Sequence, residues 1–420
     1  MALDASDLSD PPERPRYLSG KTNTWLPIKN RAFGLLWLLS LTSGSLVPAQ
    51  DVALRWLVHR VSASTFLLSI IPSVSSAAFF LVTFPGGILA DRWPRKRLLR
   101  LVYIGLGLAS AVMAALSTVP NLPAQFILCL SLLSGAGMAL SAPVWAALFV
   151  EIVDKPDVEA AVALSGVQIN LSGILGPALA GLLLTRFGPG SIFMAGALTF
   201  AGVSLSMKFL PQGRRGPPAS PPTLKEAIAE VKRFIARRAQ MRVVIFRNLL
   251  FNFFIALIPA LLPTFALQVL NLSSGQLGLL FTSLGIGSVI GGIFLVPVLQ
   301  KKLSPNAITV AACVLLIIVF YLIGFVRQRF VFLAVAAVAG SSWTLAATEI
   351  WSVGQRATPD ASRGRINAVL MMTGSGAMAL GGVVWASVAT AAGPVNAIHI
   401  AALSLLVSLP FRIWWPLDKK

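Results

Sequence analysis

Asp51 and Arg55 carry opposite charges one helical turn apart, inside a long run of apolar residues. A charge in hydrocarbon costs several kcal/mol unless it is paired or wetted, so each residue needs a partner. Two interpretations are open. In one, Asp51 takes up and releases a proton, and its pairing with Arg55 alternates with proton or substrate binding. In the other, the pair is static and Arg55 extends toward His59 and Arg60 at the membrane surface.

Glu349 is a second acidic residue in an apolar segment, close to the end that leads into Arg356, Arg363 and Arg365. It either closes a gate with one of these arginines or caps its own helix. His399 lies in another apolar segment, and the pattern favours a buried neutral histidine over a coupling residue.

The chain that must position these charges has the composition of a membrane protein. Its mean hydropathy is +0.80 and only 12% of its residues are charged, whereas soluble domains carry about 25% charge. Twelve apolar segments of about 20 residues are long enough to cross a bilayer. The net charge of +19 comes from short basic clusters between these segments, which excludes a nucleic-acid-binding protein.

The basic clusters also predict the orientation. If the N-terminus is cytoplasmic, most of the 34 basic residues fall in cytoplasmic segments, as the positive-inside rule requires. Both termini are then on the cytoplasmic face of the inner membrane. The predicted organisation is a tail (1–28), a six-helix bundle (29–209), a linker (210–242), a second six-helix bundle (243–416) and a C-terminus (417–420).

The linker contains a predicted amphipathic helix, with Leu224, Ile228, Val231 and Ile235 forming one apolar stripe opposite lysines and arginines. Thr223 and Glu226 have the spacing of a capping box. Such a helix lies on the cytoplasmic membrane surface, so membrane lipids are predicted partners.

The two halves resemble each other at fixed glycines. An offset of 205 residues superposes Gly135 on Gly340 and Gly176 on Gly381.

The loop after the second segment resembles the signature loop of the major facilitator superfamily, with Pro94 where the pattern has glycine. The positions that match the pattern include Gly87, Asp91, Arg92, Arg95 and Lys96. The resemblance implies an all-α fold of twelve transmembrane helices in two bundles related by pseudo-two-fold symmetry, with alternating access to a site between them. It also implies that Asp91 forms a cytoplasmic gate with Arg363 and Arg365.

The fifth segment resembles the Gly-Pro motif of exporters in this superfamily, through Gly173, Gly176, Pro177 and Gly181. Small residues there allow tight packing and a proline-dependent bend. The branch that the chain resembles is the transmembrane secretion effectors, which include siderophore exporters. That branch is matched by Asn30-Arg31 before the first segment and by Gln355, Pro359, Asp360 and the Arg363-Gly364-Arg365 run before the eleventh.

The predicted function is secondary active export of small amphipathic organic molecules, namely a siderophore, a secreted metabolite or a drug, by proton antiport in a monomer. The candidate residues of the cavity are Phe79, Trp145, Gln168, Asn170, Asn252, Phe253 and Trp343. A wide apolar cavity suits such molecules better than sugars. A lipid or lysophospholipid flippase of the same fold and a non-transporting partner of a secretion system are the alternatives.

An enzyme is not predicted. The two histidines belong to no cluster of nucleophile, base or metal ligands, and Cys129 and Cys313 both lie in apolar segments. The chain contains no phosphate-binding loop ending in Lys-Ser or Lys-Thr, so neither ATP nor any other cofactor is expected.

Overall fold

The computed structural model describes residues 26–62, 64–120, 122–210, 224–358 and 363–417, and these residues form helices and connecting turns without a β-strand. The α-helices are α1 (Arg31–Val61), α2 (Thr65–Arg92), α3 (Arg95–Leu116), α4 (Ala124–Ile152), α5 (Val158–Phe187), α6 (Pro189–Ser206), α7 (Leu224–Arg237), α8 (Ala239–Ile255), α9 (Leu257–Gln268), α10 (Ser274–Val289), α11 (Val296–Gln300), α12 (Pro305–Ile323), α13 (Arg329–Arg356), α14 (Arg363–Ala392), α15 (Pro394–Val407) and α16 (Leu409–Trp414). A π-helical segment, Ile290–Leu295, joins α10 to α11.

Eleven helical stretches in the described residues are long and apolar enough to cross a membrane, with α8–α9 and α10–α11 each counted as one stretch. The shorter apolar helix α15 supplies a twelfth. The all-α fold with twelve crossings is therefore confirmed, and the chain is a multi-pass membrane protein. We call the end of the bundle where α1 begins the terminal end, and the end where α1 finishes and α2 begins the opposite end.

The two halves are built alike. In the N-terminal half (α1–α6), α4 packs on α2 and α5 packs on α1; in the C-terminal half (α8–α16), α13 packs on α10 and α14 packs on α8. The glycines separated by 205 residues serve the same contacts. A methyl group on Gly176 would strike the Ser45 carbonyl of α1, and one on Gly381 would strike the Phe253 carbonyl of α8.

The halves differ in the continuity of their helices. Prolines such as Pro48 and Pro177 lie inside N-half helices that run without a break. In the C-terminal half, α8 gives way to α9 at Ala256, and the ring of Pro259 crowds the carbonyl of Ile255, the last residue of α8. The π-helical segment and the break at Ser408 interrupt two further crossings of this half.

Gly135 provides a test of the packing between α4 and α2. A methyl group at this position would collide with the Ser75 carbonyl, whereas a methyl group on Gly105 of α3 would meet no atom within 4 Å. We expect Gly135→Ala to destabilise the folded protein by about 1–3 kcal/mol, because the backbone of α2 must shift. Thermal unfolding in detergent measures this. Gly105→Ala should leave the melting temperature unchanged or raise it slightly, since alanine favours a helix; equal melting temperatures for the two variants would contradict the packing argument.

Helix α7 lies at the terminal end, between the two halves in sequence. Its Val231 is buried, and Arg238 just beyond it donates a hydrogen bond to the Ala357 carbonyl at 2.8 Å. The Arg238 guanidinium also lies 5.0 Å from the centre of the Phe234 ring. Thr223 of the predicted capping box lies outside the described residues.

Candidate functional site

A cavity of about 320 Å³ lies between the two halves and has a largely apolar wall. Helices α1 and α5 contribute one side, and α9, α10 and α13 contribute the other. The lining residues are Pro48, Asp51, Arg55, Ile169, Asn170, Gly173, Pro177, Ile258, Pro259, Phe281, Leu284, Gly285, Ser288 and Trp343. Asp51 and Arg55 are the charged members of this lining.

Asp51 and Arg55 form an ion pair at the edge of the cavity. Oδ2 of Asp51 accepts hydrogen bonds from Nη2 of Arg55 at 2.7 Å and from Nε at 3.1 Å. The Arg55 side chain is 1% exposed, whereas that of Asp51 is 33% exposed. A ligand in the cavity can therefore reach the carboxylate, whereas the guanidinium is enclosed.

Arg55 also joins the two halves. Its Nη1 donates to the Pro259 carbonyl at 2.5 Å, and its guanidinium lies 5.2 Å from the centre of the Phe281 ring. The Pro259 carbonyl is available because the residue four positions later in α9 is Pro263, which has no N–H to donate. Of the two interpretations left open by the sequence, the one in which Arg55 extends toward His59 and Arg60 does not describe this arrangement, because the guanidinium donates instead to a carbonyl of the other half.

The bridge made by Arg55 depends on the forked shape of guanidinium, since one side chain serves a carboxylate, a carbonyl and an aromatic ring. Lysine keeps the charge but lacks this planar fork. We expect Arg55→Lys to weaken the junction by about 1–3 kcal/mol, the cost of leaving a buried polar group unsatisfied. The rate at which a cysteine placed at position 258 is labelled should rise in this variant. Arg186→Lys, in the last turn of α5, is the control and should be labelled at the rate of the parent chain. Equal labelling rates in the two variants would contradict the proposed role of Arg55 between the halves.

Polar contacts close the opposite end of the cavity. Ser69 and Thr264 share a buried hydrogen bond at 2.8 Å, and Thr65 donates to Gln268 at 3.0 Å, so α2 is tied to α9. The hydroxyls of Thr185 and Ser274 lie 3.4 Å apart, where α5 meets α10. With the Arg55 contact, these hydrogen bonds between the halves, among the residues that the structure describes, lie toward the opposite end of the bundle.

The Gly-Pro motif of α5 divides its residues among three surfaces. Gly176 packs on α1, since a methyl group there would lie 2.7 Å from Pro48 Cγ. Gly181 faces α10, where a methyl group on Gly278 would lie 2.5 Å from the Gly181 Cα. Gly173 faces the cavity, and a methyl group there would meet nothing within 4 Å. Pro177 lines the cavity between them.

Two of the seven predicted cavity residues, Asn170 and Trp343, line this cavity. The prediction is wrong for Trp145 and Gln168. Trp145 is 7% exposed and donates to the Tyr103 hydroxyl at 2.9 Å inside the N-terminal half. Gln168 is buried and donates to the Ser40 carbonyl and the Ser172 hydroxyl, because its face of α5 packs on α1.

The other three predicted cavity residues lie outside this lining. Asn252 donates to Asn248 within α8, beside α14. Phe253 packs against Trp385 and lines a separate groove between α2, α8 and α14. Phe79 is half-buried on α2, where its carbonyl accepts from Thr83.

Glu349 does not pair with Arg356, which donates instead to Ser352 at 2.7 Å. Glu349 is 1% exposed, and it accepts a hydrogen bond at 2.7 Å from Gln300, at the end of α11.

The predicted gate residues at the start of α3 make contacts within the N-terminal half. Arg95 forms an ion pair with Glu151, at the end of α4, and Lys96 donates to the Leu210 carbonyl at 2.6 Å. Gly87 is part of α2 and has open space around it. The side chains of Asp91, Arg92, Arg363 and Arg365 lie outside the described part of the structure.

The sequence analysis did not identify Pro259 and Phe281 as partners of Arg55, nor Pro263 as the residue that leaves the Pro259 carbonyl without a helical donor. A signal for the two prolines was present. A proline inside a helix leaves the carbonyl four residues earlier without its helical donor, and a buried arginine elsewhere in the chain can use that carbonyl.

The model of the transmembrane secretion effector family matches residues 22–419. The chain belongs to this family of the major facilitator superfamily. Among similar proteins, the enterobactin exporter EntS of Citrobacter koseri is 25% identical over 394 residues, covering 90% of this chain and 91% of that protein. The enterobactin exporter EntS of Escherichia coli O1:K1 is 24% identical over 387 residues, covering 90% and 89%.

Solved structures show the same fold. A variant of the nucleoside transporter NupG has a TM-score of 0.76 at 15% identity, covering 92% of this chain and 100% of that one. A bacterial homologue of the iron transporter ferroportin in its inward-facing state has a TM-score of 0.71 at 15% identity, covering 93% and 99%. Because the chain belongs to the secretion effector family, it is a transporter and not an enzyme.

Proposed function

We propose that this transporter exports small amphipathic organic molecules from the cytoplasm by alternating access, in exchange for protons. The observation that carries the proposal is the cavity, whose apolar wall holds the exposed carboxylate of Asp51 beside an enclosed arginine. The similarity to two enterobactin exporters supports export, and the substrate that we propose first is a siderophore or a comparable secreted metabolite.

The orientation follows from the basic clusters, which put the terminal end and both termini in the cytoplasm. In that orientation the hydrogen bonds between the halves close the periplasmic side, and the cavity takes up substrate from the cytoplasm. Alternation then requires the contacts of Arg55, Ser69 and Thr185 to open together while the cytoplasmic side closes.

Asp51 is the proposed coupling residue. A hydrogen-bond donor on the substrate and a proton compete for the same carboxylate, and such competition is what antiport requires. Arg55 is held by Pro259 and Phe281 while this exchange takes place. Glu349 is enclosed at a junction inside the C-terminal half, where it serves as a structural latch.

Mass-spectrometric comparison of culture medium and cell extract tests the proposal, using cells with and without the chain in iron-poor and iron-replete medium. A metabolite that accumulates in cells and disappears from the medium when the chain is absent, under iron limitation alone, would support siderophore export. The same shift in both media would support export of another metabolite. Unchanged metabolites combined with altered lipid distribution between leaflets would overturn the proposal in favour of a flippase.

A further inference from the structure

A long apolar groove runs along the outside of the bundle where α2 meets α14. It consists of two adjoining cavities of about 620 and 590 Å³, which share Phe80 and Leu81 of α2. Leu81 is 66% exposed and Leu380 of α14 is 61% exposed. Helix α2 contacts α4 through Ser75 and Gly86, on another face, so the groove opens toward the bilayer and not toward the cavity between the halves.

Helix α7 closes the groove at the terminal end. Its apolar residues Val231 and Ile235 contribute to the wall of the larger cavity, and Lys232 is the basic residue in that wall. Lys232 is exposed, and the other residues that line the groove as far as Phe253 and Leu380 are apolar except for Thr373. The lining of the groove therefore combines one positive charge at the terminal end with a long, mostly apolar wall.

We propose that this groove is a binding site for an anionic phospholipid of the leaflet at the terminal end. One acyl chain lies along Phe80 and Leu81, and Lys232 pairs with the headgroup. Charge complementarity favours an anionic lipid, because a zwitterionic lipid of the same chain length fills the groove equally well but gains less from the Lys232 ammonium group.

The position of the groove gives the lipid a mechanical effect. Its floor is the contact between α2 and α14, where a methyl group on Gly376 would lie 2.8 Å from the Phe80 ring. A bound lipid touches both halves and also α7, so it stabilises the arrangement in which these three elements are together. This effect is independent of which molecule the cavity between the halves carries.

Native mass spectrometry of the purified full chain tests the site, with phosphatidylglycerol and phosphatidylcholine of identical acyl chains as probes. The parent chain should retain phosphatidylglycerol in preference. Lys232→Gln should reduce this preference about fivefold, the change expected for one cation near an anionic surface. Lys301→Gln removes an exposed lysine at the same end, in the turn after α11, and should leave the preference unchanged.

A second pair of variants tests the acyl chain. Leu81→Trp fills the groove and should lower retention of both lipids, whereas Leu108→Trp, at a residue 64% exposed on α3, should lower neither. Equal retention of the two lipids by the parent chain, or equal loss in Lys232→Gln and Lys301→Gln, would overturn the proposal. If Lys232→Gln lost retention of phosphatidylglycerol but Leu81→Trp had no effect, the lipid would be held by surface charge only, and this result would also overturn the proposal.

Discussion

Replacing Asp51 with asparagine should abolish the response of efflux to a pH gradient while leaving binding of substrate measurable. A gradient of one pH unit supplies about 1.4 kcal/mol per proton, which corresponds to roughly a tenfold concentration ratio of substrate. Asparagine keeps the size and can still accept a hydrogen bond from Arg55, but it cannot take up a proton. Transport in proteoliposomes with and without an imposed gradient measures the difference.

The matched control for Asp51→Asn is Glu159→Gln, which neutralises an exposed carboxylate in the first turn of α5. This variant should retain the tenfold response. If Asp51→Asn responded to the gradient as the parent does, Asp51 would not be the coupling residue. If both variants lost the response, the effect would come from the loss of negative charge at large and not from the site.

The second large effect is expected at the contact between α5 and α10. Gly278→Ala should favour the state in which the opposite end is open, because its methyl group would lie 2.5 Å from the Gly181 Cα and 2.7 Å from the Pro177 carbonyl. Neither backbone atom can move without its helix. An overpacking cost of about 1–3 kcal/mol corresponds to a population shift of about 5- to 150-fold.

Disulfide cross-linking measures this shift. Thr185→Cys and Ser274→Cys place two thiols where hydroxyls lie 3.4 Å apart, in a chain whose exposed Cys129 is replaced by alanine. Cross-linking should be rapid in the parent and slow after Gly278→Ala. Gly173→Ala adds the same methyl group to the cavity wall, where it meets nothing within 4 Å, and should cross-link as the parent does. Rapid cross-linking in Gly278→Ala would contradict the argument.

The fold could be predicted from the sequence because membrane insertion imposes a strong local signal. Each crossing needs about 20 apolar residues, and close contacts between helices need small residues. Gly135 and Gly176 could therefore be matched in the sequence to Gly340 and Gly381, both at an offset of 205 residues. Both signals are carried by residue type alone. Neither depends on knowing which helices are neighbours.

The site was predictable only where chemistry restricts the residue type. A charge in hydrocarbon has few explanations, so Asp51 and Arg55 stood out. An aromatic or amide residue in a crossing can face lipid, another helix or a cavity, and the choice depends on the rotation of the helix. The rotation of α4 and α5 directs Trp145 and Gln168 toward other helices inside the N-terminal half. Asn170, only two residues after Gln168, lines the cavity.

The contrast between unbroken helices in one half and interrupted helices in the other has a consequence for amide hydrogen exchange. A break at Ala256, a π-helical turn from Ile290 and a break at Ser408 occur in the crossings formed by α8–α9, α10–α11 and α15–α16. Backbone amides beside such interruptions open at lower free energy than those in continuous helices. Deuterium uptake during turnover should therefore be concentrated beside Ala256, Ile290 and Ser408. Amides in the helices of the N-terminal half should exchange more slowly, so that the C-terminal half is the more flexible of the two during transport.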